Sequence, residues 1–345
     1  MPNGSPHVAI PILKLIQKMN EDYSWGAEDA SVAKIQEVVD KVRDEVQKVI
    51  IGQDHLIELI MVSIFAGGHV LLEGVPGVAK TLASKLMAKT LSVEFTRIQF
   101  TPDLMPSDVT GTSVYNMKVA EFTFNKGPIF SNMVLIDEIN RAPAKTQASL
   151  FEVMEEKQVT VDGVTYPMAF PFMVIATQNP IEQEGTYKLP EAQLDRFLFR
   201  IQLDYPKLEE EQQILRRFRD DFSKRQIADV RPVVNAKEIK DCQEIVEKIH
   251  IKDELLDYIA ALVHNTRNNG DLFLGASPRA SLAIMQTAKA VAAINGRDFV
   301  TPDDIQYVAY PVLNHRIILT PEREMEGMDV HDVIKDIIAK VEVPR

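Results

Sequence analysis

The chain is 345 residues long, 46% hydrophobic and 26% charged, and its 50 acidic against 38 basic side chains give a formal net charge of −12. That composition suits an ordinary globular protein with a sizeable core and about two domains, and it weighs against a general polyanion-binding surface and so against nucleic acid as a partner. A single cysteine, Cys242, excludes a disulfide framework and a thiolate metal site; with no signal-peptide layout, and an apolar run from Ile60 to Leu72 too short and broken to span a membrane, a soluble, reducing, cytoplasmic setting is expected.

Residues 1–32, with Pro2, Gly4, Pro6 and Pro11 ahead of Glu21–Gly26, read as an N-terminal extension carrying one short helix. From Ala33 to Val49 the apolar residues recur at helical spacing, and Ile51-Gly52-Gln53-Asp54 opens a second helix. A strand-like run, Val70–Glu73, then precedes Gly74-Val75-Pro76-Gly77-Val78-Ala79-Lys80-Thr81, and a helical pattern begins at Leu82. This is the setting of a phosphate-binding loop. Small residues let backbone N–H groups close around an anion at a helix N-terminus, Lys80 would reach the outer phosphates, and the Thr81 hydroxyl would ligate Mg²⁺. Ala79 stands where glycine ordinarily precedes the lysine. Glycine is indispensable only where φ is positive or a Cβ would collide, and a residue entering the first helical turn is expected to need neither.

Further strand-like runs follow at Glu94–Phe100, Met133–Ile136, Phe172–Thr177 and Phe197–Leu203, alternating with helices. Near-continuous apolar strands in this arrangement predict a parallel sheet covered on both faces, an α/β core over residues 33–205. Two segments interrupt it: Thr112–Phe124, which alternates around Asn116, and Gln158–Tyr166, where β-favouring residues flank Asp162-Gly163 as in a tight hairpin. The strand Val134–Ile136 ends in Asp137-Glu138, at the sheet end where ligands gather. Asp137 would hold Mg²⁺ and Glu138 would polarise an attacking water. Met173–Thr177 ends in Gln178-Asn179-Pro180, where the Asn179 amide could orient that water.

Beyond Pro206 strand signals vanish, and helices are predicted at Leu208–Lys224, Glu238–Ile249, Asp253–Thr266, Pro278–Asn295, Pro302–Val312 and Val330–Val341, a helical domain over residues 206–345. Two arginines stand out. Arg196 lies just before the last core strand. Arg279 sits in the first turn of a helix capped by Ser277, where a cation opposes the helix dipole and so suggests an anionic partner.

Taken with Arg97–Asp108, Lys126–Phe130, Asp137–Ala142, Gln147–Glu156, Thr177–Pro180 and Leu189–Phe197, the chain resembles AAA+ ATPases of the MoxR family over about residues 33–340. The resemblance implies a three-layer αβα P-loop core with sheet order 5-1-4-3-2, a helical lid, and a homo-oligomeric ring, usually hexameric, with ATP at the interfaces. It marks Gly74–Thr81 as Walker A, Asp137 and Glu138 as Walker B, Asn179 as sensor 1, Arg196 as a finger given to a neighbouring subunit and Arg279 as sensor 2. Gly52-Gln53 matches a segment near adenine, Thr112–Phe124 an insertion within the second helix of the core, and Asp162-Gly163 a hairpin before sensor 1. Ala79 is a form this family commonly shows. Such proteins often act beside von Willebrand factor A (VWA) domain proteins in chaperone-like maturation or metal-cofactor insertion of a client. The expected function is ATP-driven remodelling of a partner protein; a nucleotide-gated scaffold, a chelatase-type subunit and a nucleic-acid motor are the alternatives.

Overall fold

The computed structural model describes residues 30–75, 77–118, 120–180, 185–219 and 227–344. Pro76 of the loop and the short helix expected near the N-terminus lie outside the described residues. Helix Ala30–Gln47 opens the described chain, burying Val32, Ile35, Val39, Val42 and Val46 at the spacing that builds one helical face. Helix Asp54–Phe65 follows and is buried almost throughout.

The strands in chain order are β1 (Val70–Gly74), β2 (Phe95–Gln99), β3 (Gly111–Asn116), β4 (Glu121–Lys126), β5 (Met133–Asp137), β6 (Gln158–Val161), β7 (Val164–Pro167), β8 (Met173–Gln178) and β9 (Phe199–Leu203). Five of them form a parallel sheet ordered β2-β5-β8-β1-β9, the predicted 5-1-4-3-2 when core strands alone are counted. Strand periodicity explains why both faces are apolar. Val70 and Leu72 of β1, Met133 and Leu135 of β5, and Met173 and Ile175 of β8 join a cluster with helices 30–47, 54–65 and 80–90. Their neighbours Leu71, Val134, Ile136, Val174 and Ala176 point the other way, into a second cluster with helix Ala144–Glu156. The result is a three-layer αβα core.

His69 stitches these layers. Its Nε2–H donates to the Met154 carbonyl and its Nδ1 accepts from the Val174 N–H, both at 3.0 Å, and complete burial pushes its pKa down to about 4.

The helical region comprises Leu208–Phe218, Ala236–Lys248, Asp253–Arg267, Pro278–Ile294, Pro302–Leu313 and Val330–Lys340. Helix 278–294 presents Ala280, Ala283, Ala288, Ala290 and Ala293, small enough for close approach, and packs against helices 30–47 and 54–65 in one continuous apolar cluster. Strand signals do not wholly vanish after Pro206: Leu272–Leu274 and Ile318–Leu319 pair as a short antiparallel ribbon. Its strands are too short to carry a readable period.

The predicted hairpin at Asp162-Gly163 exists as β6–β7, and the alternating segment Thr112–Phe124 also folds as a hairpin, β3–β4. Asp162 and Gly163 take φ of 51° and 79°, the left-handed pair that a tight primed turn requires. The first hairpin does not interrupt a helix among the described residues. It follows the single turn Pro106–Thr110, and turns alone lead from β4 to β5. The Phe124 and Tyr166 rings, 4.6 Å apart, and a 2.5 Å hydrogen bond from Ser113 to Asp162 join the two hairpins.

Candidate active site

Strand β1 ends at Gly74 and the next helix begins at Lys80, so the connecting loop lies at the C-terminal edge of the sheet and at a helix N-terminus. Gly77 takes φ of 91°, open to any ligand because a Cβ there would meet nothing within 4 Å. Ala79 corrects an expectation: its φ is 63°, in the left-handed region, so this position does call for glycine-like freedom and alanine pays about 1–2 kcal/mol for it. Gln53 and Glu138, at 60° and 57°, share that strain around the same cavity. The Gln53 amide donates to the Val78 carbonyl at 2.8 Å and braces the loop. Lys80 Nζ reaches back to the Gly74 carbonyl at 2.7 Å.

Strand β5 delivers Asp137 and Glu138 beside this loop, and β8, paired to both β5 and β1, delivers Thr177 and Asn179. The Thr177 hydroxyl donates to Asp137 Oδ1 at 2.6 Å and accepts from the Glu138 N–H at 3.0 Å, so one side chain sets the direction of both acids. Asp137 Oδ2 takes Arg97 Nε and Nη2 at 3.0 and 2.6 Å. Glu138 Oε2 takes Gln99 Nε2 and Arg141 Nε, both at 2.9 Å.

These groups share a cavity of about 570 Å³, in which Gln53, Gly77, Val78, Ala79, Lys80, Thr81, Asp137, Glu138, Thr177 and Asn179 form one part of the wall. Ile50, Ile51, Pro206, Ile214 and Phe218 supply an apolar part suited to a flat base. Of the expected nucleotide contacts, Gly52, Gly74 and Val75 are not among the lining residues; the carboxyl of Glu210 sits where a Gly52 Cβ would be, at 2.7 Å. Sequence reading missed the apolar wall, although Ile214 and Phe218 stand four residues apart on one helical face. It missed the partners of the acids too; the visible signal was that Arg97 and Gln99 alternate on one face of a strand.

Thr81 and Asp137 are hard oxygen donors in one wall, a set that fits a largely hydrated Mg²⁺ brought by a nucleotide. Among the described residues no cluster of three or more His, Cys, Asp or Glu side chains offers a metal cage.

Arg196 and Arg279 do not line the cavity. Both turn to Glu155, at the end of helix 144–156: Arg279 Nη2 lies 2.6 and 2.8 Å from its two oxygens, and Arg196 Nε 3.7 Å from Oε2. The hydrogen bond from Arg279 pulls the Glu155 pKa down, and its mirror effect raises that of Arg279. The expected anionic partner of Arg279 is thus a carboxylate of the chain itself. Arg196 is aimed from behind by the helical region. Arg316, 3% exposed, donates to Asp195 Oδ1 at 2.7 Å and to the carbonyls of Asp195, Phe197 and Leu198, while Ser277 donates to Asp195 Oδ2 at 3.0 Å.

A family model described as the ATPase family associated with various cellular activities (AAA) matches residues 69–199, and one described as an AAA lid domain matches residues 264–337. YeaC, an uncharacterized protein of Bacillus subtilis, is 46% identical over 304 residues, covering 88% of this chain and 94% of that one. Chaperone MoxR1 of Mycobacterium tuberculosis is 44% identical over 310 residues, 87% of this chain and 81% of its own. A crystal structure of a Cytophaga hutchinsonii protein superposes with a TM-score of 0.83 at 43% identity, covering 95% of this chain and 99% of that one.

Proposed function

The chain belongs to the MoxR family of AAA+ ATPases and is an ATPase, and from that premise we propose that it hydrolyses ATP with Mg²⁺ in an oligomeric ring to remodel or mature a partner protein, as a chaperone does. One observation carries the reading: Asp137, Glu138 and Asn179, at or just past the ends of two adjacent parallel strands, and Thr81, in the first turn of the helix that follows a third, meet in the wall of one cavity. The loop amides and Lys80 bind the phosphates, and Thr81 with Asp137 holds Mg²⁺. The metal, when bound, neutralises charge on the β- and γ-phosphate oxygens. Glu138 takes a proton from the attacking water, and Asn179 orients that water.

Arg196 and Arg279, both outside the cavity of their own subunit, act on the nucleotide of a neighbour, which makes turnover depend on assembly. We take the ring to be hexameric, residues 33–205 to be the nucleotide-binding core, residues 206–345 its lid, and residues 1–32 an extension whose last residues, Ala30–Val32, already open the first core helix. Exposed Tyr115, Met117 and Phe122 on the first hairpin are suited to a protein client, with a VWA-domain protein as co-worker in maturation or cofactor insertion. A cytoplasmic setting agrees with a lone, buried Cys242.

Steady-state phosphate release at rising subunit concentration, with Mg²⁺ and with EDTA, tests this. Turnover per subunit should rise with concentration and collapse in EDTA. Tight ATP binding with negligible turnover at every concentration would favour a nucleotide-gated scaffold instead.

A further inference from the structure

Arg97 and Gln99 take no part in the chemistry proposed above, yet they grip both acids. Strand β2 lies parallel to β5 with Gln99 opposite Asp137, and residues two apart in a strand share a face. Arg97 spends two N–H groups on Asp137 Oδ2, at 3.0 and 2.6 Å, while Thr177 occupies Oδ1 at 2.6 Å. Each oxygen of Asp137 is therefore engaged, one of them by a full positive charge. The Arg97 side chain is 50% exposed, so its guanidinium can leave for water without stranding a buried charge, and Gln99 Oε1, 2.9 Å from Nη2, gives it a second resting partner. Asp137, at 15% exposure, has no comparable escape.

We propose that Arg97 is an internal stand-in for the divalent cation: it neutralises Asp137 in the nucleotide-free protein and is displaced when MgATP binds, so that metal-loaded nucleotide competes with this ion pair. The inference rests on the reading of Asp137 as a metal-holding residue. Displacing the pair lowers the affinity for MgATP but not for metal-free ATP, because only the metal contends for Oδ2. A guanidinium that instead bound phosphate would strengthen both.

The test is equilibrium binding of ATP to the full chain by calorimetry, once with saturating Mg²⁺ and once in EDTA. Arg97→Ala should bind MgATP about two- to five-fold more tightly, the range for a partly exposed ion pair, while metal-free ATP, which meets an uncompensated Asp137, should bind no more tightly than to the wild type. Arg97→Lys keeps a cation beside Asp137 and should stay near the wild type. Thermal melts and the EDTA arm report whether each variant is folded. Asp137→Asn separates the two ideas: it should lose most of the gain that Mg²⁺ gives. If Asp137→Asn keeps the full gain, the reading of Asp137 falls and the competition with it. If Asp137→Asn loses the gain while Arg97→Ala leaves MgATP affinity unchanged, the competition alone is overturned. Weaker binding of both MgATP and metal-free ATP by folded Arg97→Ala would overturn it too, identifying a phosphate ligand.

Discussion

Arg279 places one guanidinium nitrogen 2.6 and 2.8 Å from the two carboxylate oxygens of Glu155, joining the first turn of a lid helix to the end of a core helix 124 residues away. Because Arg196 approaches the same carboxylate, the two cations are presented together, away from the cavity of their own subunit. Arg196→Ala should therefore keep ATP affinity and lose turnover by about 10³-fold, as removal of a γ-phosphate arginine does. Mixing it with Glu138→Gln subunits should restore part of the activity, since some interfaces then combine an intact acid with an intact arginine. A mixture as inactive as its components would contradict delivery of Arg196 to the nucleotide of a neighbour, and wild-type turnover in Arg196→Ala alone would place it outside the reaction.

Relief of strain at Ala79 predicts a stability gain from Ala79→Gly. The left-handed φ of 63° costs alanine about 1–2 kcal/mol, while glycine loses about 0.4–1 kcal/mol through its freer unfolded chain. A net gain of up to about 1.6 kcal/mol should appear in urea unfolding, with ATP affinity little changed. Ala79→Val, β-branched at positive φ, should be destabilised.

Acid should weaken the fold through His69. Its pKa is about 4 when buried and about 6.5 when unfolded, so between those values the unfolded chain binds a proton that the native chain does not. Stability from this group is whole above pH 6.5 and is lost as pH falls toward 4, by about 2 kcal/mol at pH 5. Buried His315, also held well below its usual pKa, adds in the same direction. Urea unfolding at pH 7.5 and pH 5 should show the loss, and His69→Gln, which can still donate and accept, should show a smaller one. Equal losses in the two proteins would remove His69 as the cause.

Arg316 should matter to both stability and turnover. Arg316→Met removes the cation from Asp195, leaving it Ser277 alone as a side-chain donor, and breaking a buried pair in this way costs about 3–5 kcal/mol. Since Asp195 adjoins Arg196, turnover of the folded fraction should fall as in Arg196→Ala, while ATP affinity holds. Normal turnover in a merely less stable protein would separate the anchor from the arginine it appends.

Much of this architecture was legible in the residues, for reasons that differ by element. Core strands such as Val134–Ile136 announce themselves because both of their faces are buried, and the Asp162-Gly163 turn because few residue pairs accept two left-handed dihedrals. Ala79 was misjudged because a residue type does not print its φ. The partnership of Arg279 with Glu155, and the apolar wall from Ile214 and Phe218, depend on how the lid docks on the core, a relation between distant segments that local periodicity does not carry. Arg97 and Gln99 were visible only as part of a family motif, since their role needs the register of β2 against β5.

The most direct measurement on the central claim is ATP binding and single-turnover hydrolysis by Glu138→Gln at subunit concentrations where the wild type is active. ATP affinity should stay within a few-fold of the wild type and hydrolysis should slow by about 10²-fold or more, the scale of a lost general base. Hydrolysis at the wild-type rate in that variant would contradict the claim, and would move the catalytic base away from the end of β5.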